Sequence, residues 1–386
     1  MSRIYNFSAG PAVLPLEVLQ DAQKNLVDYK GCGMSVMEMS HRGKDYDAIH
    51  QEAIATFKEL CGLGDEWSVC FIQGGASLQF AMIPMNFLGK DKVADYANQG
   101  TWSNKALKQA QMVGNVNIVA NCQKDIPTRM PTADEWTWTP GAAYSHICSN
   151  ETISGAELKQ FPQSGSPLIC DMSSDILSCA RDYNQFSMFY AGAQKNLGPS
   201  GMAVVAIRKD FAETGSKTIP TMLQYRTFTE ENSLYNTPPT WGIYIFGETM
   251  KWVKKMGKEN LFRLNAEKAK KIYDVIDASG FYRGTAVKEF RSNMNVTWRL
   301  PTEELEAKFI AEAKAAGMSS LKGHRSVGGI RASIYNAFPM AGVDCLVDFM
   351  KEFERKNGQP SPLSFGQRPP PPGGLFFFPR EGRAPC

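Results

Sequence analysis

The chain has 386 residues, 43% hydrophobic and 21% charged, and its 42 basic and 39 acidic residues leave a formal net charge of +3. That size admits two domains or one large α/β body with an appendage, and the near balance of charge argues against a nucleic-acid surface. The 9 cysteines include no Cys-x-x-Cys and no partner histidine spacing, so neither a disulfide framework nor a metal site is expected.

Residues 1–15 read as a turn-rich N-terminal segment containing Asn6-Phe7-Ser8-Ala9-Gly10-Pro11-Ala12. It shows no apolar signal run, and no later window is apolar for long enough to span a membrane. A cytoplasmic protein is therefore expected. Pro15 suits the start of a helix whose apolar face would be Leu16, Leu19, Ala22 and Leu26, broken by Gly31-Cys32-Gly33. Beyond the polar loop Met39-Ser40-His41-Arg42-Gly43-Lys44, a second helical period runs through Tyr46, Ile49, Ala53, Phe57 and Leu60.

The central region alternates strands and helices. Strands are predicted over 67–72, 93–97, 116–120, 144–148 and 168–170, followed by two apolar runs over 188–193 and 202–207. Helices are predicted through Phe80, Met82 and Phe87, and from Trp102 to Val113. This pattern implies an α/β fold with a mostly parallel central sheet flanked by helices. Right-handed crossovers then place the polar loops after the strands along one sheet edge, where such folds bind ligands.

After Tyr235-Asn236-Thr237-Pro238-Pro239, a long helical stretch over 244–279 is expected to bend near Gly257. A smaller α+β domain follows, with strands over 294–300 and 330–334 and helices over 303–316 and 343–353. The expected organisation is a large domain over 16–240, an interdomain helix with a small α+β domain over 241–357, and a Pro/Gly-rich, disordered tail over 358–386.

Lys195 stands between the two apolar runs in Ala191-Gly192-Ala193-Gln194-Lys195-Asn196. Apolar surroundings depress a lysine pKa, and a neutral amine can form a Schiff base with a carbonyl. The alternative is a surface lysine in a turn. Asp171 ends the preceding strand, where a carboxylate could keep the ring nitrogen of pyridoxal phosphate protonated, or could serve as an ordinary turn former. Gly74-Gly75-Ala76-Ser77 opens a helix after a strand, a place that suits a phosphate, but it is neither a dinucleotide fingerprint nor a P-loop. Trp102 could stack on a planar ring or be an ordinary buried tryptophan. His41-Arg42 and His324-Arg325, with Arg331, are candidate receivers for a substrate with two anionic ends, or solvated surface groups.

These residues carry a resemblance. Phe7-Ser8-Ala9-Gly10-Pro11-Ala12, Glu38-Met39-Ser40-His41-Arg42, Gln73-Gly74-Gly75, Asn150-Glu151-Thr152 and Cys170-Asp171-Met172-Ser173-Ser174 are parts of it. Ala191-Gly192-Ala193-Gln194-Lys195-Asn196, Leu234-Tyr235-Asn236-Thr237-Pro238-Pro239 and Lys322-Gly323-His324-Arg325-Ser326-Val327-Gly328-Gly329-Ile330-Arg331 complete it. From residue 4 to about 355 the chain resembles the phosphoserine aminotransferase family, fold-type I pyridoxal phosphate enzymes of the class V aminotransferases.

The resemblance implies a homodimer with shared active sites, acting on L-glutamate and 3-phosphohydroxypyruvate, with neither nucleic acid nor membrane as partner. It makes Lys195 the Schiff-base lysine and Asp171 the partner of the pyridine nitrogen. Trp102 would stack on the ring and Thr152 bond its hydroxyl. Ala76, Ser77 and Gln194 would hold the cofactor phosphate with Asn236 and Thr237 of the neighbouring subunit. The substrate phosphate would meet His324, Arg325 and the neighbouring subunit's His41 and Arg42, and the α-carboxylate would meet Arg331. Many bacterial members have Gly-Arg where this chain has Ala76-Ser77, which removes one arginine contact to the cofactor phosphate.

Three other functions are weighed. A cysteine desulfurase needs a reactive cysteine on a mobile loop, whereas Cys345 falls in a predicted helix. An alanine–glyoxylate type enzyme would not need two His-Arg sets. A catalytically silent binding protein would not need the Asp171 and Lys195 pair.

Overall fold

The computed structural model describes residues 3–358, so the tail expected over 358–386 lies, after Gly358, outside the described residues. Seven strands form the central sheet: β1 (Trp67–Gln73), β2 (Val93–Asn98), β3 (Asn115–Asn121), β4 (Ser145–Cys148), β5 (Leu168–Asp171), β6 (Met188–Gly192) and β7 (Met202–Arg208). Their spatial order is β1-β7-β6-β5-β4-β2-β3. β7 runs antiparallel to both its neighbours, and every other pair is parallel. The other six strands therefore deliver their C-terminal ends to one edge.

β5 and β6 are buried at every position, as expected of strands covered on both faces. The covering helices are α1 (Leu16–Lys24), α2 (Lys44–Cys61), α3 (Gly75–Phe87), α4 (Thr101–Gln111), α5 (Thr240–Met256) and α6 (Lys258–Ala278). On one face Phe57 of α2 and Phe246 of α5 pack with Phe71 and Phe189 of the sheet. On the other face Phe80 and Phe87 of α3 pack with Tyr144 and Tyr190. Burying one such aromatic side chain contributes on the order of 2–3 kcal/mol.

The long helical stretch is two helices. Gly257 separates α5 from α6 with φ 78, a left-handed backbone that side chains rarely adopt, which makes the expected bend a break. A third core gathers Phe7, Ile272, Trp298, Phe309 and Met350. It lies between α6, an antiparallel sheet of β8 (Arg283–Gly284), β9 (Asn295–Arg299) and β10 (Ile330–Ser333), and helices α7 (Glu303–Ala315) and α8 (Met340–Asn357). Thr302 starts α7 by accepting from the Leu305 N–H.

One expectation at the N-terminus needs correcting. α1 stops at Lys24, and Leu16 and Leu26 are exposed. Its inward face is Val18 and Ala22, spaced i, i+4, which meet Tyr244 and Ile245 of α5. Among the described residues, no helix is long and apolar enough to cross a membrane.

Candidate active site

The loops that follow β1, β2, β4, β5 and β6 converge on one pocket. Gly74 to Ser77, Trp102, Asn150, Thr152, Asp171, Ser173, Gln194 and Lys195 line it. Gly74, with φ 95, turns the chain out of β1 and into α3. No side chain caps α3, so the first N–H groups of the helix, at Gly75, Ala76 and Ser77, have only the pocket to serve.

Lys195 is fixed by the backbone on either side of it. The Gln194 carbonyl accepts from the Ala12 N–H at 2.8 Å, and the Gly198 N–H donates to the Ala193 carbonyl at 2.7 Å. Asn196 Nδ2 donates to the Ile176 carbonyl at 3.0 Å, while Asn196 Oδ1 accepts from the Asn336 N–H at 3.0 Å. Lys195 Nζ donates to Thr152 Oγ1 at 2.7 Å. Desolvation pushes the Lys195 pKa below its ordinary value, and the carboxylate of Asp171 opposes that shift. Asp171 is 5% exposed. Burial raises its pKa, while hydrogen bonds from Ser173 and the charge of Lys195 pull it back.

The anion receivers are distributed. Arg331 lies on β10 with its Nε buried and unpartnered, and desolvation lowers its pKa. It is close enough to Lys195 to lower the lysine pKa electrostatically. His324 heads the loop before β10, where its Nδ1 is 2.8 Å from Ser326 Oγ. Burial lowers its pKa first, then the positive charges of Arg331, Arg325 and Lys105. Arg331, Arg325 and Lys105 thus form one positive cluster around His324. His41 and Arg42 line a separate surface cleft with Lys44 and Glu230. Asn236 and Thr237 also lie off the pocket lining, with the Thr237 carbonyl accepting from Gln73 Nε2 at 3.4 Å. A single chain thus brings Ala76, Ser77, Trp102, Thr152, Asp171, Gln194 and Lys195 to one pocket, and leaves His324, Arg325 and Arg331, as well as the four residues expected from its neighbour, off that lining.

Three residues with a part in this geometry were given no role by sequence reasoning. Glu151 is fully buried and accepts from the N–H groups of Trp102 and Ser103 at 3.2 and 2.9 Å, so it caps α4 from another segment. Its pKa is raised by burial and lowered by those bonds. Ser173 donates its N–H to Asp171 Oδ1 at 2.9 Å and accepts the Gly192 N–H at 3.1 Å. Lys105 holds its Nζ 4.2 Å from the Trp102 ring centroid. Lys105 had a local signal, its i, i+3 spacing from Trp102 on a helix, and so did the Ser173 N–H, two residues after an aspartate that forms turns. Glu151 and the Ser173 contact to Gly192 depend on which strands become neighbours.

The pocket fits pyridoxal phosphate. Among the described residues, Lys195 is the cation beside the buried, pKa-raised carboxylate of Asp171, and a protonated ring nitrogen would supply a second. An amine stands within the same lining, and the uncapped helix end suits a phosphate. Trp102 Nε1 is buried without a partner, and its ring edges the pocket. Cys345, in contrast, lies inside α8.

Comparison with known proteins agrees. A family model described as aminotransferase class-V matches residues 4–346. The phosphoserine aminotransferase of Niallia circulans is 53% identical over 359 residues, covering 92% of this chain and 99% of that one. The solved phosphoserine aminotransferase from Bacillus circulans subsp. alkalophilus has a TM-score of 0.89 at 51% identity, covering 92% and 99%. The PLP-bound phosphoserine aminotransferase from Trichomonas vaginalis has a TM-score of 0.87 at 41% identity, covering 90% and 100%. The chain belongs to the class V aminotransferases and, within them, to the phosphoserine aminotransferase family.

Proposed function

We propose that this chain moves an amino group between L-glutamate and 3-phosphohydroxypyruvate, giving O-phospho-L-serine and 2-oxoglutarate for serine biosynthesis. The observation that carries this reading is the single pocket onto which Lys195, Asp171 and the bare N-terminus of α3 all open. Bound there, pyridoxal phosphate supplies a cationic ring that accepts electrons from the substrate's Cα as its proton leaves.

Lys195 and Asp171 are the catalytic pair. Lys195 Nζ, whose pKa desolvation lowers, would in its neutral form take the Cα proton of glutamate and return a proton to Cα of the product in the second half-reaction. Asp171 would pair with the ring nitrogen, Thr152 with the ring hydroxyl, and Trp102 would lie against the ring face. Ala76, Ser77 and Gln194, with the partner's Asn236 and the partner's Thr237, would hold the cofactor phosphate. Ser77 stands where many relatives have arginine, so backbone N–H groups and one hydroxyl carry that task.

Arg331 would receive the α-carboxylate, its buried Nε being free to donate. His324 and Arg325, with the partner's His41 and the partner's Arg42, would receive the substrate phosphate. This assignment requires a homodimer, and we read the enzyme as a cytoplasmic one. We divide the chain into a cofactor-binding domain over 16–240 and an interdomain helix with a small domain over 241–357; the separate core around Trp298 and Phe309 supports the small domain, while Phe246 and Met250 of α5 belong to the core of the central sheet.

A coupled assay comparing 3-phosphohydroxypyruvate with unphosphorylated hydroxypyruvate tests the reading. At least a hundredfold preference in kcat/KM for the phosphorylated acid is expected, from two or more charge-assisted contacts to the phosphate. Equal rates would remove the role of the two His-Arg pairs.

A further inference from the structure

Beneath Asp171 a buried polar chain runs into the sheet, and nothing in the mechanism above uses it. Asp171 pairs with Tyr190 across β5 and β6, and His146 pairs with Ile169 across β4 and β5. Side chains alternate along a strand, so Asp171 shares a face with Ile169, and therefore with both Tyr190 and His146. The three residues are 5%, 0% and 1% exposed. His146 Nε2 lies 2.9 Å from the Tyr190 hydroxyl. The imidazole stacks on Tyr96 at 4.9 Å between centroids, and the Tyr96 hydroxyl is 2.9 Å from that of Tyr144.

Donor directions follow from what each atom can do. His146 Nδ1 is buried without a partner. A bare lone pair there is better tolerated than a bare N–H, which puts the proton on Nε2. Nε2 then donates to the Tyr190 oxygen, which leaves the Tyr190 O–H free to donate toward the carboxylate beside it. Both dipoles then run in the same sense, from the imidazole through the hydroxyl, and Asp171 is Tyr190's cross-strand neighbour on that face.

We infer that Tyr190 and His146 are positioning residues that orient Asp171 and hold it ionised for the ring nitrogen of the cofactor. This rests on the assignment of Asp171 made above. Burial raises the Asp171 pKa, and Ser173, Lys195 and Tyr190 lower it. Burial drives His146 down to about 3, so the imidazole contributes a dipole and not a charge throughout the neutral range. The other titratable groups near Asp171 are Lys195 across the pocket, Glu151 in the loop after β4, and Cys148, which pairs with Asp171 across β4 and β5 and is kept neutral by burial, as is the adjoining Cys170. The Glu151 carboxylate opposes a charged Asp171, which is why a donor from below matters.

The test uses Tyr190→Phe, with His146→Leu, His146→Gln and Asp171→Ala beside it. The readouts are the dissociation constant for pyridoxal phosphate and the pH midpoint of the holoenzyme's visible band. Without the Tyr190 donor, Asp171 becomes a stronger base and the ring withdraws less charge from the nitrogen that links it to Lys195. Tyr190→Phe should weaken cofactor binding about tenfold and raise the midpoint by about one unit, the scale of one hydrogen bond to a charged group. His146→Leu should move both values the same way, and His146→Gln, whose amide can still donate, should restore them to within about twofold of the parent. If Asp171→Ala moves both values and Tyr190→Phe moves neither, the inference is overturned and the Asp171 assignment survives. If neither variant moves them, that assignment falls and takes the inference with it. Should Tyr190→Phe not fold, the contrast between His146→Leu and His146→Gln decides the matter alone.

Discussion

Lys195 Nζ and Thr152 Oγ1 are joined by a 2.7 Å hydrogen bond, although 43 residues separate them in sequence. The bond spans two loops at the C-terminal ends of β4 and β6. It presents the amine to the pocket instead of letting it fold back on its own turn. Thr152→Val keeps the shape and removes the acceptor. It should lower kcat about tenfold with a melting temperature close to the parent's, from the loss of one bond to a charged or polar group. Steady-state kinetics beside a thermal melt will show it, and an unchanged kcat would mean that the contact does not matter to turnover.

Arg331 has a buried Nε without a partner, and burial already costs the guanidinium part of its charge preference. A carboxylate would relieve both. Arg331→Gln should raise KM for glutamate and for the keto acid about a hundredfold, and leave the visible cofactor band in place. Loss of the band instead would assign Arg331 to the cofactor.

The pH dependence of kcat follows from Lys195. Proton abstraction needs the neutral amine, which exists above its pKa. Desolvation lowers that pKa from 10.5, so kcat should climb with rising pH and level off well before pH 10.5. A rate still rising at pH 10.5 would show a lysine with no such perturbation.

Lys268 concerns stability and not chemistry. Its Nζ donates to the carbonyls of Ile334, Tyr335 and Phe338 at 3.0, 2.7 and 3.2 Å, and the residue is 2% exposed. These carbonyls flank Asn336, which reaches across to Asn196 beside Lys195. Lys268→Met strands three buried acceptors and should cost about 3 kcal/mol in denaturant unfolding. A cost below about 1 kcal/mol would mean that water replaces the ammonium there.

The sheet and the central pair were legible because each left a local trace. Lys195 and Asp171 follow buried apolar strands, and Gly74-Gly75 marks a turn into a helix. The antiparallel direction of β7 left a trace that the strand pattern alone does not show, since the connection after β6 is too short for the crossover a parallel pair needs. The inward face of α1 was partly misplaced: Ala22 packs as expected, but Leu16 and Leu26 are exposed and Val18 takes their place. Glu151, Tyr190 and His146 were silent for a shared reason. Their partners lie on neighbouring strands, and sequence periodicity does not say which strand lies beside which. His41, Arg42, Asn236 and Thr237 were named only through resemblance, and one chain alone does not bring them to the pocket.

The most direct measurement is Lys195→Ala, assayed with glutamate and 3-phosphohydroxypyruvate beside its absorption spectrum. On the proposed reading the lysine is both the covalent anchor and the proton carrier, so turnover should fall by at least about 10⁴-fold and the visible band of the parent should disappear. Transamination retained at near the parent rate would contradict the role given to Lys195 and the mechanism built around it.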